Sequence, residues 1–219
     1  MHRWLTALVA PSALLCACSS SDAEPKPREH GAAAPAVTWR FDEPVGTLPT
    51  GMGAASGAWS IVANAQAPSA PSVLAQTARG DPMQFHLLLV EREQPADIDL
   101  SVSVHDSGGE LGRGGGLVWR ARDESSYYLA RYDPRARDCR IYKVVDGKRQ
   151  QLASAPIDVA SGWHRLRVRA FRESIECSLD GRVVVSARDR TFPGAGRAGL
   201  WTESDAQTQF DDLAIGPNL

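Results

Sequence analysis

Trp163-His164-Arg165-Leu166-Arg167-Val168-Arg169, then Ser174-Ile175-Glu176-Cys177-Ser178-Leu179, Asp180-Gly181 and Arg182-Val183-Val184-Val185-Ser186-Ala187, is the stretch that decides how this chain folds. Leu166 and Val168 alternate with Arg165, Arg167 and Arg169. A period of two puts apolar side chains on one face of a strand and the guanidinium groups on the other. Residues 174–179 repeat the pattern with Ile175, Cys177 and Leu179 on the core side. Asp-Gly between two such runs is the dipeptide a two-residue hairpin turn favours, because both central positions need a left-handed backbone. His164 shares the parity of Leu166 and Val168 and therefore reads as a core histidine with a structural hydrogen bond.

The same alternation recurs elsewhere in the chain. In Ile98-Asp99-Leu100-Ser101-Val102-Ser103-Val104 every second residue is apolar, and residues 139–145 end on a second turn signal, Asp146-Gly147. Residues 198–202 and 210–215 continue the series. No long 3.6-residue apolar repeat appears after residue 36, so the chain is predicted to be all-β, roughly a dozen short strands closing as a sandwich or barrel. The glycine-rich run 112–116 reads as a turn, since no Lys-Ser/Thr follows it as a phosphate loop would require.

The N-terminus differs in character. Met1-His2-Arg3-Trp4 carries positive charge, and residues 5–15 are apolar except for Thr6, Pro11 and Ser12. A membrane-spanning helix needs about 20 apolar residues, so this run reads as a secretory signal segment. Leu15-Cys16-Ala17-Cys18 resembles the bacterial lipobox, with Cys18 as the residue to be lipidated. The expected layout is a lipoprotein signal peptide over residues 1–17, a tether over 18–36 and one domain over 37–219. The tether is Ser, Ala, Pro and charge, too poor in large apolar residues to order itself. Ser19 after the cysteine implies, within the same resemblance, a lipid-anchored place in the cell envelope at the outer membrane.

Formal net charge is -2, so no overall basic field points to nucleic acid. No His-Glu or His-Cys pair has ligand spacing, and neither a metal nor another cofactor is expected. No serine sits in a nucleophile elbow. Asp123, Glu124, Glu203, Asp205, Asp211 and Asp212 lack the alternation that would set a general acid and a nucleophile about 5 Å apart. They read as turn formers and ion-pair partners.

Several segments taken in order carry a family resemblance. They are Gly115-Gly116-Leu117-Val118-Trp119-Arg120, Asp123-Glu124-Ser125-Ser126-Tyr127-Tyr128-Leu129-Ala130-Arg131-Tyr132, Ile141-Tyr142-Lys143-Val144-Val145-Asp146-Gly147-Lys148, Gly199-Leu200-Trp201-Thr202 and Phe210-Asp211-Asp212-Leu213. Together they resemble the concanavalin A-like jelly rolls that include laminin G domains, and among these the 3-keto-disaccharide hydrolase-like domain family. The resemblance spans almost all of residues 37–219 and implies two packed antiparallel sheets, one of them concave. It also implies that Tyr127 and Arg131 share an outer face, with Arg120 on the neighbouring strand.

Parity adds Arg165 and Arg167 to that face. The enzymatic branch of the family places His and acidic groups on its concave sheet, where Arg and Tyr stand here. The expected ligand-binding residues are therefore Arg120, Tyr127, Arg131, Arg165 and Arg167. Guanidinium forks suit carboxylate, sulfate or sugar hydroxyls, and aromatic faces suit sugar rings. The expected function is an envelope lipoprotein that binds a saccharide without cleaving it. The alternatives are a hydrolase or lyase acting on 3-keto-glycosides, or a structural envelope protein, since a fold does not fix a function.

Two packing expectations follow. Trp39-Arg40-Phe41-Asp42 should lie beside Phe210-Asp211-Asp212-Leu213, because neighbouring terminal strands hide each other's edges. Cys139 and Cys177 should be buried and unpaired, if the strand 163–169 lies between theirs and holds them about 10 Å apart.

Overall fold

Each segment read as alternating becomes a strand. The computed structural model describes residues 36–218 together with Met1 and His2, so the signal segment, nearly all of the tether and the Cys18 lipidation site lie outside the described residues. In chain order the strands are β1 (Val37–Trp39), β2 (Met52–Ala54), β3 (Trp59–Ala63), β4 (Ser72–Gln76), β5 (Phe85–Val90), β6 (Ile98–Gly108), β7 (Gly115–Ala121) and β8 (Tyr127–Asp133). They continue with β9 (Asp138–Val145), β10 (Lys148–Pro156), β11 (Trp163–Phe171), β12 (Ser174–Leu179), β13 (Arg182–Arg188), β14 (Arg197–Glu203) and β15 (Gln207–Pro217). Among the described residues there is no helix.

The strands form two antiparallel sheets. One is eight-stranded in the order β13-β12-β11-β6-β15-β4-β3, with β1 beside β15; the other is seven-stranded in the order β10-β9-β8-β7-β14-β5-β2. Each contains a local meander, β11-β12-β13 in the first and β7-β8-β9-β10 in the second, completed by strands from distant parts of the chain. Both Asp-Gly turns form as read: Asp146 and Gly147 have φ of 50° and 76°, and Asp180 and Gly181 have 50° and 79°. The Asp180 carboxylate also caps the start of β11, accepting from the Arg165 amide at 2.8 Å and meeting His164 Nδ1 at 2.8 Å. His164 is thus a structural histidine.

The main core lies between the sheets. Leu100, Val102 and Val104 of β6 and Leu166 and Val168 of β11 face Leu117, Trp119, Tyr128, Ala130 and Ile141 of the other sheet, all fully buried. Each such aliphatic side chain contributes about 1.5–3 kcal/mol by leaving water. Tyr128 ties in the segment after β13: its hydroxyl donates to Asp189 at 2.6 Å and accepts from the Phe192 amide at 3.1 Å. Burial, reinforced by Asp189, pushes that hydroxyl up to about 12. Where β14 runs beside β5 the backbones approach so closely that a Cβ on Gly199 would stand 2.0 Å from the Leu88 carbonyl oxygen.

The domain ends meet as expected, with Trp39 opposite Leu213 and Val37 opposite Ile215. The cysteines are free and buried, also as expected. The strand order behind that expectation is corrected, however. Cys139 sits on β9 in the seven-stranded sheet, while Cys177 sits on β12 in the other, so the two face each other across the core. Parity shows which side of a strand is apolar but is blind to which sheet the strand joins.

Candidate functional site

The seven-stranded sheet is apolar on both faces, which one buried core does not require. Its inner face takes Tyr128, Ala130, Tyr132 and their neighbours. Its outer face carries a second buried cluster: Leu87 and Leu89 of β5, Val118 of β7, Tyr127 and Leu129 of β8, Tyr142 and Val144 of β9, and Trp201 of β14, with Phe85 packed beside them. These residues come together because alternation places them on one side of five adjacent strands. Val118 pairs with Leu129, and Leu129 with Tyr142. Trp201 and Phe85 pack with their rings tilted by 49° at a centroid distance of 5.4 Å.

Charged groups close the same face. Arg149 of β10 stands opposite Val144 of β9 and lies across the rings, its guanidinium carbon 4.8 Å from the Tyr142 centroid, 5.2 Å from Phe85 and 5.9 Å from Trp201. It also holds one oxygen of Glu203 at 2.7 Å. Arg131 holds the other Glu203 oxygen at 2.7 Å and pairs with Asp133 on its own strand. Two guanidinium groups therefore clasp one carboxylate. Arg131, Asp133 and Glu203 are each less than a tenth exposed, so these pairs act in a low dielectric and are charge-balanced, as buried ions must be.

The polar atoms are not all satisfied. Arg131 Nε, the Tyr127 hydroxyl and the Trp201 indole nitrogen are buried without a hydrogen-bond partner. The Tyr127 hydroxyl lies near the indole without closing a hydrogen bond to it, and burial pushes it well above the usual tyrosine range. An unpaired buried donor costs about 1–3 kcal/mol.

Of the residues expected from sequence, Tyr127 and Arg131 belong to this face. Arg165 and Arg167 do not: they lie on the outer face of the eight-stranded sheet, on the opposite side of the sandwich. They flank an open groove of about 550 Å³ there, with Asp99, Ser101 and Ser178. Their donors are already committed. Arg165 donates to Ser101, Ser103 and the Asp212 carbonyl, and Arg167 forks onto Asp99.

Arg120 is the second correction. Its side chain is buried between the sheets, donating to the carbonyls of Ala96 at 2.8 Å, Phe192 at 3.1 Å and Arg172 at 2.7 Å. Simple alternation after Val118 would turn it outward with Tyr127. A β-bulge intervenes: Gly199 pairs with Val118 but Arg197 with Ala121, so β7 has one residue more than β14 over this interval, and Arg120 adopts φ of 49°. The extra residue re-aims the side chain.

Phe85, Tyr142, Arg149, Trp201 and Glu203 were missed as site residues. The alternation of Leu200 with Trp201 and Glu203 in β14 was the available signal, since a tryptophan and a carboxylate opposite a core leucine mark a face with its own contents. Beside them, Asp205 behaves as the loop former it was read as. It accepts from the amides of Glu110, Leu111 and Gly112 at 2.8–2.9 Å. Those donors hold its carboxyl down at about 2. Among the described residues no cluster of His, Cys, Asp and Glu could hold a metal ion.

This architecture defines an all-β, concanavalin A-like jelly-roll sandwich with an aromatic and arginine-lined face on one sheet. Solved structures share the fold. The chain is similar to the carbohydrate-binding module CBM66 from Bacillus subtilis, with a TM-score of 0.63 and 22% identity over 76% of this chain and 96% of that one. It is also similar to the Emp47p carbohydrate recognition domain, with a TM-score of 0.56 and 14% identity over 82% of this chain and 93% of that one. A further likeness is to the GH43 protein BlXynB from Bacillus licheniformis, with a TM-score of 0.58 and 14% identity over 82% of this chain but 39% of that one. No family model matches the sequence, and no curated protein matches it.

Proposed function

We propose that this protein binds a saccharide on the outer face of its seven-stranded sheet, as an envelope lipoprotein held by a lipid on Cys18. One observation carries the binding reading: an outward sheet face combines Trp201, Tyr127 and Tyr142 with a clasped carboxylate and buried polar atoms that lack partners. Aromatic faces take the apolar side of a sugar ring, and Arg131, Arg149 and Glu203 take its hydroxyls or a carboxylate substituent. Arg149 covers the rings, so engagement requires its side chain to lift. Similarity of fold to a carbohydrate-binding module and a carbohydrate recognition domain supports the reading.

The test is retention of the full-length protein in affinity gels cast with neutral, uronate-bearing and sulfated polysaccharides, alongside incubation with 3-keto-glycosides. Retardation by one polysaccharide class without release of product is the expected outcome. Passage through every gel unretarded ends the binding reading, and product release would put the hydrolase or lyase in its place. The anchor is checked separately, by mass spectrometry of protein extracted from bacterial envelopes. A mature chain starting at Cys18 with added acyl mass is expected, and a different start without acyl mass rules the lipid out.

A further inference from the structure

The space between the sheets is not apolar throughout. Gln76 of β4, His86 of β5, Thr202 of β14 and Thr208 of β15 are each at most 1% exposed. Each lies two residues along its strand from a core side chain, Leu74, Leu88, Leu200 and Phe210 respectively, so all four point inward. Both amide atoms of Gln76, Nδ1 of His86 and the Thr202 hydroxyl have no hydrogen-bond partner. Buried polar groups in folded proteins are bonded to protein or to ordered water with few exceptions.

Register brings these groups to one place. In the eight-stranded sheet Gln76 stands between Thr208 of β15 and Trp59 of β3. In the seven-stranded sheet Thr202 stands opposite His86, and the pairing of Trp201 with Gly116 sets Thr202 beside Gly115 on its other side. The two rows touch at both ends. Thr208 donates to the Gly114 carbonyl at 2.6 Å, and a Cβ on Gly115 would stand 3.1 Å from the Thr208 methyl carbon. At the other end a Cβ on Gly57 would stand 2.9 Å from the Trp59 indole nitrogen and 2.8 Å from the His86 Cβ, so these two side chains are neighbours. Gln76, the middle of one row, therefore faces Thr202, the middle of the other.

We propose that Gln76, His86, Thr202 and Thr208 form a binding site for internal water, held between the sheets and hydrogen-bonded to both. The chemistry of the four groups selects the ligand. His86 Nε2 lies 2.7 Å from the Ser204 carbonyl oxygen, which can only accept, so Nε2 carries the proton and, in the neutral ring, Nδ1 is left as an acceptor. Thr208 spends its proton on Gly114 and keeps oxygen lone pairs, while Gln76 and Thr202 can each donate and accept. None of these groups is a carboxylate or a permanent cation, so neither a metal ion nor an anion would find its charge balanced. Water is small and neutral and plays both roles, and buried waters make about three hydrogen bonds to such groups. The His86 ring extends the bridge to the saccharide face, because it holds the carbonyl of Ser204, the residue after Glu203, in a left-handed backbone with φ of 56°. Water at this place does not depend on whether a saccharide binds outside.

The test is NMR of isotope-labelled full-length protein. The side-chain amide protons of Gln76 should show cross-peaks at the water frequency with opposite signs in NOE and ROE spectra, as a bound water gives and a freely diffusing one does not. The cross-peaks should persist in Thr202→Val, which keeps the shape of the side chain and removes a hydroxyl proton whose exchange with solvent would relay them. Absence of the cross-peaks, or their loss in Thr202→Val, overturns the proposal. If that variant fails to fold, a high-resolution crystal structure of the unmodified protein decides. Solvent density about 2.7–3.2 Å from both the Gln76 amide and His86 Nδ1 is the expected result. Gln76 bonded directly to Thr202 or His86, or no density between them, overturns it.

Discussion

Arg120→Ala is expected to lower the melting temperature by about 10–15 °C. The substitution leaves the carbonyls of Ala96, Phe192 and Arg172 without their shared donor inside the sandwich. It also empties the space beside Tyr128, over which the guanidinium lies at 5.9 Å. Each buried carbonyl left without a donor costs about 1–3 kcal/mol, and the ion pair from Arg120 to Asp97 at 3.5 Å is lost as well. For a domain of this size each kcal/mol moves the midpoint by roughly 2–4 °C. Desolvation lowers the affinity of the Arg120 guanidinium for its proton, and the three carbonyls compensate for that burial. Calorimetry or thermal circular dichroism of the purified variant measures the shift. A fall of less than about 3 °C would show that the three carbonyls find other partners and that Arg120 is not the pin joining these loops.

Trp201→Leu is expected to abolish most saccharide retention in a domain that still folds but melts at a lower temperature, because Trp201 is fully buried. Leucine keeps an apolar side chain over Phe85 and Leu87 but removes the broad ring face and the indole N–H. Buried tryptophans at binding sites characteristically cost at least about 2 kcal/mol when truncated, or roughly thirtyfold in affinity. The measurement is the retardation of Trp201→Leu on whichever polysaccharide retains the unmodified protein, with thermal melting to confirm folding. Arg167→Ala serves as the opposite-face control and should migrate like the unmodified protein, since Arg167 is engaged with Asp99 on the other sheet. If Trp201→Leu binds normally and Arg167→Ala does not, the groove on the eight-stranded sheet is the site and the assignment of faces is reversed.

Much of the fold was legible because β-structure writes itself locally. Alternation in residues 98–104 and 163–169 located strands and their apolar sides, and Asp146-Gly147 and Asp180-Gly181 located hairpins, since each depends only on residues next to one another. The site was only half legible for the same reason. Tyr127 and Arg131 were placed on an outer face correctly, but Arg165 and Arg167 also face outward, and nothing in a two-residue period distinguishes the outside of one sheet from the outside of the other. Arg120 was lost to a bulge, which appears only when β7 is set against β14. Arg149 and Glu203 are separated by more than fifty positions in the chain, and their pairing exists only because β10 and β14 enter the same sheet from different stretches.

The place of β15 has a consequence for the order in which this protein is made. Residues 207–217 form an interior strand of the eight-stranded sheet, between β6 on one side and β4 and β1 on the other. A chain that emerges from a ribosome or a translocation pore N-terminus first can close the meander of β7 to β10 early. The β3-β4 pair and β1, by contrast, have no strand connecting them to β6 and its neighbours β11 to β13 until those late residues arrive. Pairings between such distant segments are slow to form, because loop closure must precede any gain from contact. The nascent chain therefore stays open and threadable for most of its synthesis and becomes a folded domain in a single late step, when one strand slides into the gap left for it.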